Sequence, residues 1–398
     1  MSLAFSAAAS YRRKAVVPAL IGAGLLVFGF LLNRQQFFLS YLQGYMFAVA
    51  IPLGCLGLTM VHTLSGGRWG WTIRPFLEAG IRTLPAMAVL FIPVALGLTT
   101  IYPWTNHDLV AHDAALQSKA VYLNSQGWLI RAAGYWVIWL ILGAWLRRWL
   151  MPTPESVKTD IKRYHRVQRL AAGGMLVFVM SVSFAGIDWV MSIEPHWFSS
   201  IFGGILLMGA AMSAFAVCTM SCIFMHRTTP NPWLTASNLH DLSKFLFMTV
   251  MVWGYFNLSQ FLIIWSGNLP EETFWFYERS IGGWQIISAI LPLLQWAIPF
   301  CLLLSATAKK NPDFVVKVCA FLLFGRAFEQ LWLIAPSARV GTFVIQWMDV
   351  VAPLALGGAW AALYFSYLGR TSGLPAPAPV AGHGHSEPQD KPHAGGKH

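Results

Sequence analysis

The sequence predicts an all-α integral membrane protein of about ten transmembrane helices, and three observations carry that reading. Of 398 residues, 56% are hydrophobic and only 11% are charged, whereas soluble domains carry roughly 25% charged residues. Ten apolar runs, at 15–32, 37–62, 84–101, 129–146, 171–191, 201–225, 245–265, 284–304, 314–333 and 343–368, approach or exceed the length of about 20 residues that a bilayer-crossing helix needs. Lys and Arg alternate between the connections: twenty fall on one side of the runs and four on the other. That asymmetry marks the rich side as cytoplasmic. The net charge of +11 is therefore a property of topology, and no nucleic-acid partner is expected.

Ten spans place both termini in the cytoplasm. The expected organisation is a cytoplasmic N-terminus (1–14), a ten-helix membrane domain (15–368) and a tail (369–398) rich in Pro, Gly, Ala and His. The tail lacks the apolar residues to bury a core and is expected to be disordered. The run after Tyr11-Arg-Arg-Lys14 has no clear cleavage pattern and reads as a retained first span. Runs two to five and six to nine group as two four-helix units, with runs one and ten flanking. The most basic connection, Arg147 to Arg169, holds Pro152 and Pro154, which break the preceding helix, and it suits contact with anionic lipid headgroups.

Charges are scarce inside the runs. Asp188, Lys317, Arg326, Glu329 and Asp349 are the five that lie well within them, and an intramembrane charge is costly enough to mark a structural or functional site. Lys317 is near the cytoplasmic end and can snorkel. Arg326 and Glu329 are three apart on one helix face, which suits a neutralised structural pair or a charge-balanced gate. Asp188 and Asp349 have no basic residue one turn away, so each needs a partner on another helix or a proton of its own.

Depth can be read at about 1.5 Å per residue. Asp188, Asp349, Arg326 and Glu329 fall in the outer half, as do Tyr41, Gln43 and Tyr45 of the second run. Asn257 and Gln260 of the seventh run, Gln285 of the eighth, and Glu194 and His196 in the connection after the fifth lie at similar depth. Convergence of these groups would make a polar pocket for an amphipathic ligand such as a quinone, or an outer half-channel for protons. Asn257 and Gln260 equally suit interhelical hydrogen bonding. His62, His240 and Asp241 stand at the inner edge, where they suit either the mouth of a proton path or a headgroup-level polar layer; Glu78 falls in the connection before the third run.

Several chemistries are excluded. The five cysteines form no C-x-x-C or C-x-x-C-H pattern, and no two His lie deep enough to hold a haem between helices. There is no nucleotide loop, zinc motif or nucleophile signature.

Four segments carry a resemblance: Phe184–Gly203 (FAGIDWVMSIEPHWFSSIFG), Asn238–Phe245 (NLHDLSKF), Trp253–Phe261 (WGYFNLSQF) and Trp265–Glu272 (WSGNLPEE). Together they resemble the polysulfide-reductase membrane-subunit (NrfD-like) family, and within it the second large membrane subunit of bacterial alternative complex III, over about residues 30 to 370. The resemblance implies two four-helix bundles with two extra helices in a bacterial inner membrane. It implies a complex that oxidises quinol (menaquinol or ubiquinol) toward cytochrome c or a blue-copper protein. The implied partners are a sister NrfD-like subunit and subunits carrying iron–sulfur clusters and multiple haems c, while this chain binds no cofactor covalently. Proton conduction and scaffolding are the roles implied here, with Asp188, Glu194, His196, His240 and Asp241 as the matching positions. Two rival readings are a secondary transporter, against which Pro52, Pro93, Pro292, Pro299 and Pro353 show no paired placement, and a passive membrane anchor.

Overall fold

Small residues decide which helices sit at the centre. Among the described residues ten helices are long and apolar enough to cross a membrane, and span 2 (Arg34–Ser65) and span 6 (Phe202–His226) are the most buried of them. Span 2 carries Gly44, Gly54 and Gly57, and a Cβ at Gly54 would collide with the carbonyl of Ala210 on span 6. Without a side chain there the two backbones touch, which is the usual basis of helix association in lipid. Gly44 meets the Ala352 carbonyl of span 10 in the same way, and Gly22 of span 1 meets Ala355.

The computed structural model describes residues 2–149, 154–228, 230–231 and 234–370. Among the described residues all regular structure is helical, and the protein is a multi-pass membrane protein. The other spans are span 1 (Ala7–Leu32), span 3 (Arg68–Leu96), span 4 (Ser125–Trp149), span 5 (Ile161–Ile193), span 7 (Ala236–Gly267), span 8 (Trp284–Leu304), span 9 (Pro312–Ala338) and span 10 (Trp347–Leu368). Spans 2 to 5 pack as one four-helix unit and spans 6 to 9 as another. Spans 2 and 6 join the units, while span 1 lies along span 10, which rests on span 2.

Two elements differ from the sequence expectation. The helix of span 1 begins at Ser2, so the expected N-terminal segment continues into the span. Span 3 begins at Arg68 rather than near 84, because Arg74 and Glu78 neutralise each other one turn apart at 3.0 Å and Arg74 lies over the Trp71 ring. Glu78 is thus in the helix and not in a connection. The expected tail beyond Arg370 and part of the basic connection after span 4 lie outside the described residues.

Two spans are interrupted, each at proline. Span 3 breaks around Thr83, Phe91 and Gly97, where Pro85 and Pro93 withhold backbone donors. Tyr45 and Tyr41 of span 2 donate their hydroxyls to the carbonyls of Met87 (3.1 Å) and Leu90 (2.9 Å) in the broken stretch. In span 8, Pro299 cannot donate to the carbonyl four residues back, and Leu293–Ala297 widens into a π-helical turn with Ile298 N–H bonded to the Leu293 carbonyl. Such turns recur at functional sites.

Substituting Leu for Gly54 is expected to cost about 1–3 kcal/mol through overpacking, read as a lowered unfolding midpoint in detergent micelles. Leu at Gly24, where a Cβ meets nothing within 4 Å, should leave the midpoint unchanged.

Candidate functional site

The polar groups of the outer half do not meet in one place. They divide into separate clusters toward the end of the bundle opposite the Lys- and Arg-rich one, termed here the far end.

Asp188, at the far end of span 5, is fully buried and gripped by Arg131 of span 4. Arg131 Nε donates to Oδ2 at 2.9 Å and Nη2 to Oδ1 at 3.0 Å, and the Tyr135 hydroxyl adds 2.7 Å to Oδ2. The Arg131 guanidinium also lies 3.9 Å from the Tyr122 ring centroid. Partnering from another helix is thus how this carboxylate is tolerated.

Asp349 forms the N-terminal capping box of span 10 with Gln346. Its oxygens accept from Arg339 (2.7 and 3.0 Å), Ser40 (2.6 Å), Gln36 (3.0 Å) and the Gln346 N–H (2.8 Å). Gln43 donates to the Asp349 carbonyl at 3.0 Å. Each oxygen of both aspartates accepts from at least one donor. This geometry holds spans together.

Arg326 and Glu329 form an ion pair within span 9, only 2% and 1% exposed. Glu329 accepts from Trp253 Nε1 of span 7 at 2.9 Å and from Gln295 of the π turn at 3.5 Å. Gly209 of span 6 leaves room for the guanidinium. On its other side Arg326 lines, with Gln330, Trp139 and Trp189, a small cavity of about 30 Å³, enough for a water molecule.

Behind Trp253 lies a much larger cavity, about 900 Å³, between spans 7, 8 and 9 and the short helix Pro270–Glu278. Asn257, Gln260 and Gln285 line it, with Ser288 and Arg279, and its other walls include Trp253, Trp296, Trp332, Phe261 and Phe276. Tyr255, Trp265 and Tyr277 are among its lining residues and are largely exposed on the lipid-facing surface. The other three residues expected in a ligand pocket, Tyr41, Gln43 and Tyr45, lie elsewhere and are committed to backbone carbonyls.

At the far end of this cavity Arg279 is 1% exposed. Its guanidinium lies 3.6 Å from the Trp275 ring centroid and donates to the carbonyls of Trp332, Trp275 and Leu333 and to Ser337 Oγ. Burial lowers Arg279 to about 9, with Glu194 and Glu278 as opposing charges. Burial first, and then Glu278, raise Glu194 to about 7.

His196 is exposed on the far end, with Nε2 2.6 Å from Asp113. At the basic end, His62 and Asp241 of the residues expected at the inner mouth have partners of their own. His62 is packed between Trp69 and Trp71, with Nε2 3.1 Å from the Gly67 carbonyl, and closes the turn between spans 2 and 3. His240 and Asp241 open span 7, where Asp241 pairs with Lys244 at 3.3 Å on the surface. Lys317 is exposed on span 9.

No protein-family model and no curated protein sequence matches this chain. The residues that sequence reasoning missed are Arg131, Arg339, Arg279 and Glu278. Arg339 and Arg279 are two of the four basic residues on the Lys- and Arg-poor side, and that scarcity is the signal that points to them.

Asp188→Asn is expected to destabilise the protein by about 3 kcal/mol, the lower end for breaking a buried pair because Arg131 is partly exposed. Chemical denaturation in micelles measures it, with Lys317→Gln as the variant expected to be neutral.

Proposed function

We propose that this chain is the haem-free membrane subunit of a quinol-oxidising respiratory or photosynthetic complex of the NrfD-like kind, and that it binds a quinone-class ligand, menaquinone or ubiquinone. Its partners on this reading are a sister NrfD-like subunit and subunits bearing iron–sulfur clusters and haems c, which pass electrons to cytochrome c or a blue-copper protein. The basic end faces the cytoplasm of a bacterial inner membrane.

The observation that carries the reading is the 900 Å³ cavity. Small-molecule sites are concave, mostly apolar, about 300–1,000 Å³, and fitted with a few polar groups. This one joins an aromatic, lipid-level wall to Asn257, Gln260, Gln285, Ser288 and Arg279. An isoprenoid tail fits the apolar side and ring oxygens fit the donors. The π turn of span 8 contributes Trp296 to the same wall. A quinone supplies two-electron, two-proton redox chemistry; the chain supplies orientation and exclusion of water. Arg326–Glu329, which shares Trp253 with the cavity wall, is the group best placed to carry a proton path toward mid-membrane.

A photoreactive quinone is expected to label spans 7 and 8 between Trp253 and Trp296. Gly254 abuts the Trp296 indole, so Gly254→Leu should push that ring into the cavity and weaken quinone binding at least about tenfold, or 1.4 kcal/mol. Labelling confined to other spans, with unchanged affinity in Gly254→Leu, contradicts the site. Gently solubilised membranes should yield the chain together with multihaem and iron–sulfur polypeptides; purification without them contradicts the assembly.

A further inference from the structure

Arg279 is a buried cation whose hydrogen bonds go to neutral acceptors. A guanidinium has five N–H donors. Four are spent on the Trp332, Trp275 and Leu333 carbonyls and on Ser337. One hydrogen on Nη1 remains, and Arg279 lines the large cavity. Its balancing charges, Glu194 and Glu278, sit in its field from two other places, the connection after span 5 and the short helix Pro270–Glu278. The two parts meet where Trp197, three residues after Glu194, stacks on Trp275 at 4.4 Å between ring centroids, and Ser337 accepts from Arg279 at 3.0 Å. Glu278 Oε2 is buried with no hydrogen-bond partner.

We propose that Arg279, Glu194 and Glu278 form an acid–base recognition site that takes a ring hydroxyl of the cavity's ligand in deprotonated form, with one proton held on the glutamate pair. The inference rests on the quinone-class reading of the cavity. With the pair doubly ionised the exchange balances: the ligand's O–H bond breaks, a carboxyl O–H bond forms on the pair, and net charge is unchanged; with the pair already holding its proton, the ligand's proton leaves to solvent. The ring oxygen meets the fifth N–H of Arg279, while the proton relieves the repulsion between the two carboxylates. A ligand that arrives already ionised takes up that proton from solvent.

The surrounding groups favour one proton on the pair near neutrality. Burial and Glu278 push Glu194 up to about 7, against the opposing pull of Arg279, Ser337 and His196. Burial also raises Glu278, against Arg279. On the outer side His196 is paired with Asp113, and Lys119 Nζ is bonded to the Pro195 carbonyl at 2.6 Å. Above about 7 the pair becomes doubly negative and an anion at Arg279 is disfavoured, so affinity for an anionic ligand falls as pH rises.

The test compares two probes on the full chain in detergent by calorimetric titration from pH 6 to pH 9. Lawsone is a naphthoquinone with an acidic ring hydroxyl; menadione has a methyl group in its place. Lawsone affinity is expected to fall by up to about tenfold per pH unit above about 7, the limit for one linked proton. Titration in buffers of different ionisation heat should show uptake of about one proton. Menadione affinity should be flat. Glu194→Gln, which imitates the protonated carboxyl, should bind lawsone with the slope abolished while menadione binding persists, which shows an intact cavity. Equal pH dependence for both probes, or a slope that survives in Glu194→Gln and in Glu278→Gln alike, overturns the acid–base site and leaves the cavity reading standing. Absence of binding by both probes at every pH overturns both.

Discussion

A guanidinium cannot be left unpaired in a medium that offers no water, and four of them organise this protein. Arg131, Arg279, Arg326 and Arg339 lie within or against the apolar bundle, and they are held in three different ways. Arg131 and Arg339 grip a carboxylate with two nitrogens, the geometry that planar guanidinium favours. Arg326 takes its carboxylate from the next turn of its own helix. Arg279 relies on carbonyls and the faces of Trp275 and Trp332, with its countercharges at a distance. The Arg131 pair ties span 4 to span 5, and the Arg339 pair ties the connection after span 9 to span 10, whose Asp349 also accepts from Ser40 and Gln36 of span 2. They explain why those helices keep their register where apolar packing against lipid gives little direction.

The same constraint governs the breaks in spans 3 and 8. A carbonyl freed in hydrocarbon needs a donor, and Tyr41 and Tyr45 provide it for span 3. That use removes both tyrosines from any ligand pocket. In span 8 the wider π turn absorbs the proline defect and rotates the following residues. As a result Gln295 points to Glu329 while Trp296 faces Gly254 and the cavity. One local irregularity thus serves two sites.

The number of spans and their order were legible in the sequence, because apolar length reports them directly; the grouping into two four-helix units came with the family resemblance. Depth was legible as well: Asp188, Asp349 and Glu329 lie in the half expected. Azimuth was not. A helix that is apolar all round has no polar stripe to say which side turns inward, so nothing told Tyr45, turned toward span 3, from Asn257, turned toward the cavity. The start of span 3 was missed because Arg74 and Glu78 count as two charges in a hydropathy reading yet behave as a neutral pair. Arg279 and Glu278 were missed because a connection between spans reads as solvated, whereas here it folds back as a helix and roofs the cavity.

Placement of the carboxylates separates structural from titratable roles. Asp188 and Asp349 each face a guanidinium that bonds both oxygens, with further donors beside it. Glu194 and Glu278 face one shared cation and each other. Two like charges beside one opposite charge are relieved by a single proton, so that pair is the place in the outer half where proton occupancy can change at little cost. Glu329 is intermediate. Its ion pair with Arg326 is internal to span 9, but its bond to Trp253 depends on a residue that also forms the cavity wall. Whatever moves that indole alters the donors around Glu329, and so the cavity and the mid-membrane pair are coupled through one side chain rather than through a chain of polar groups.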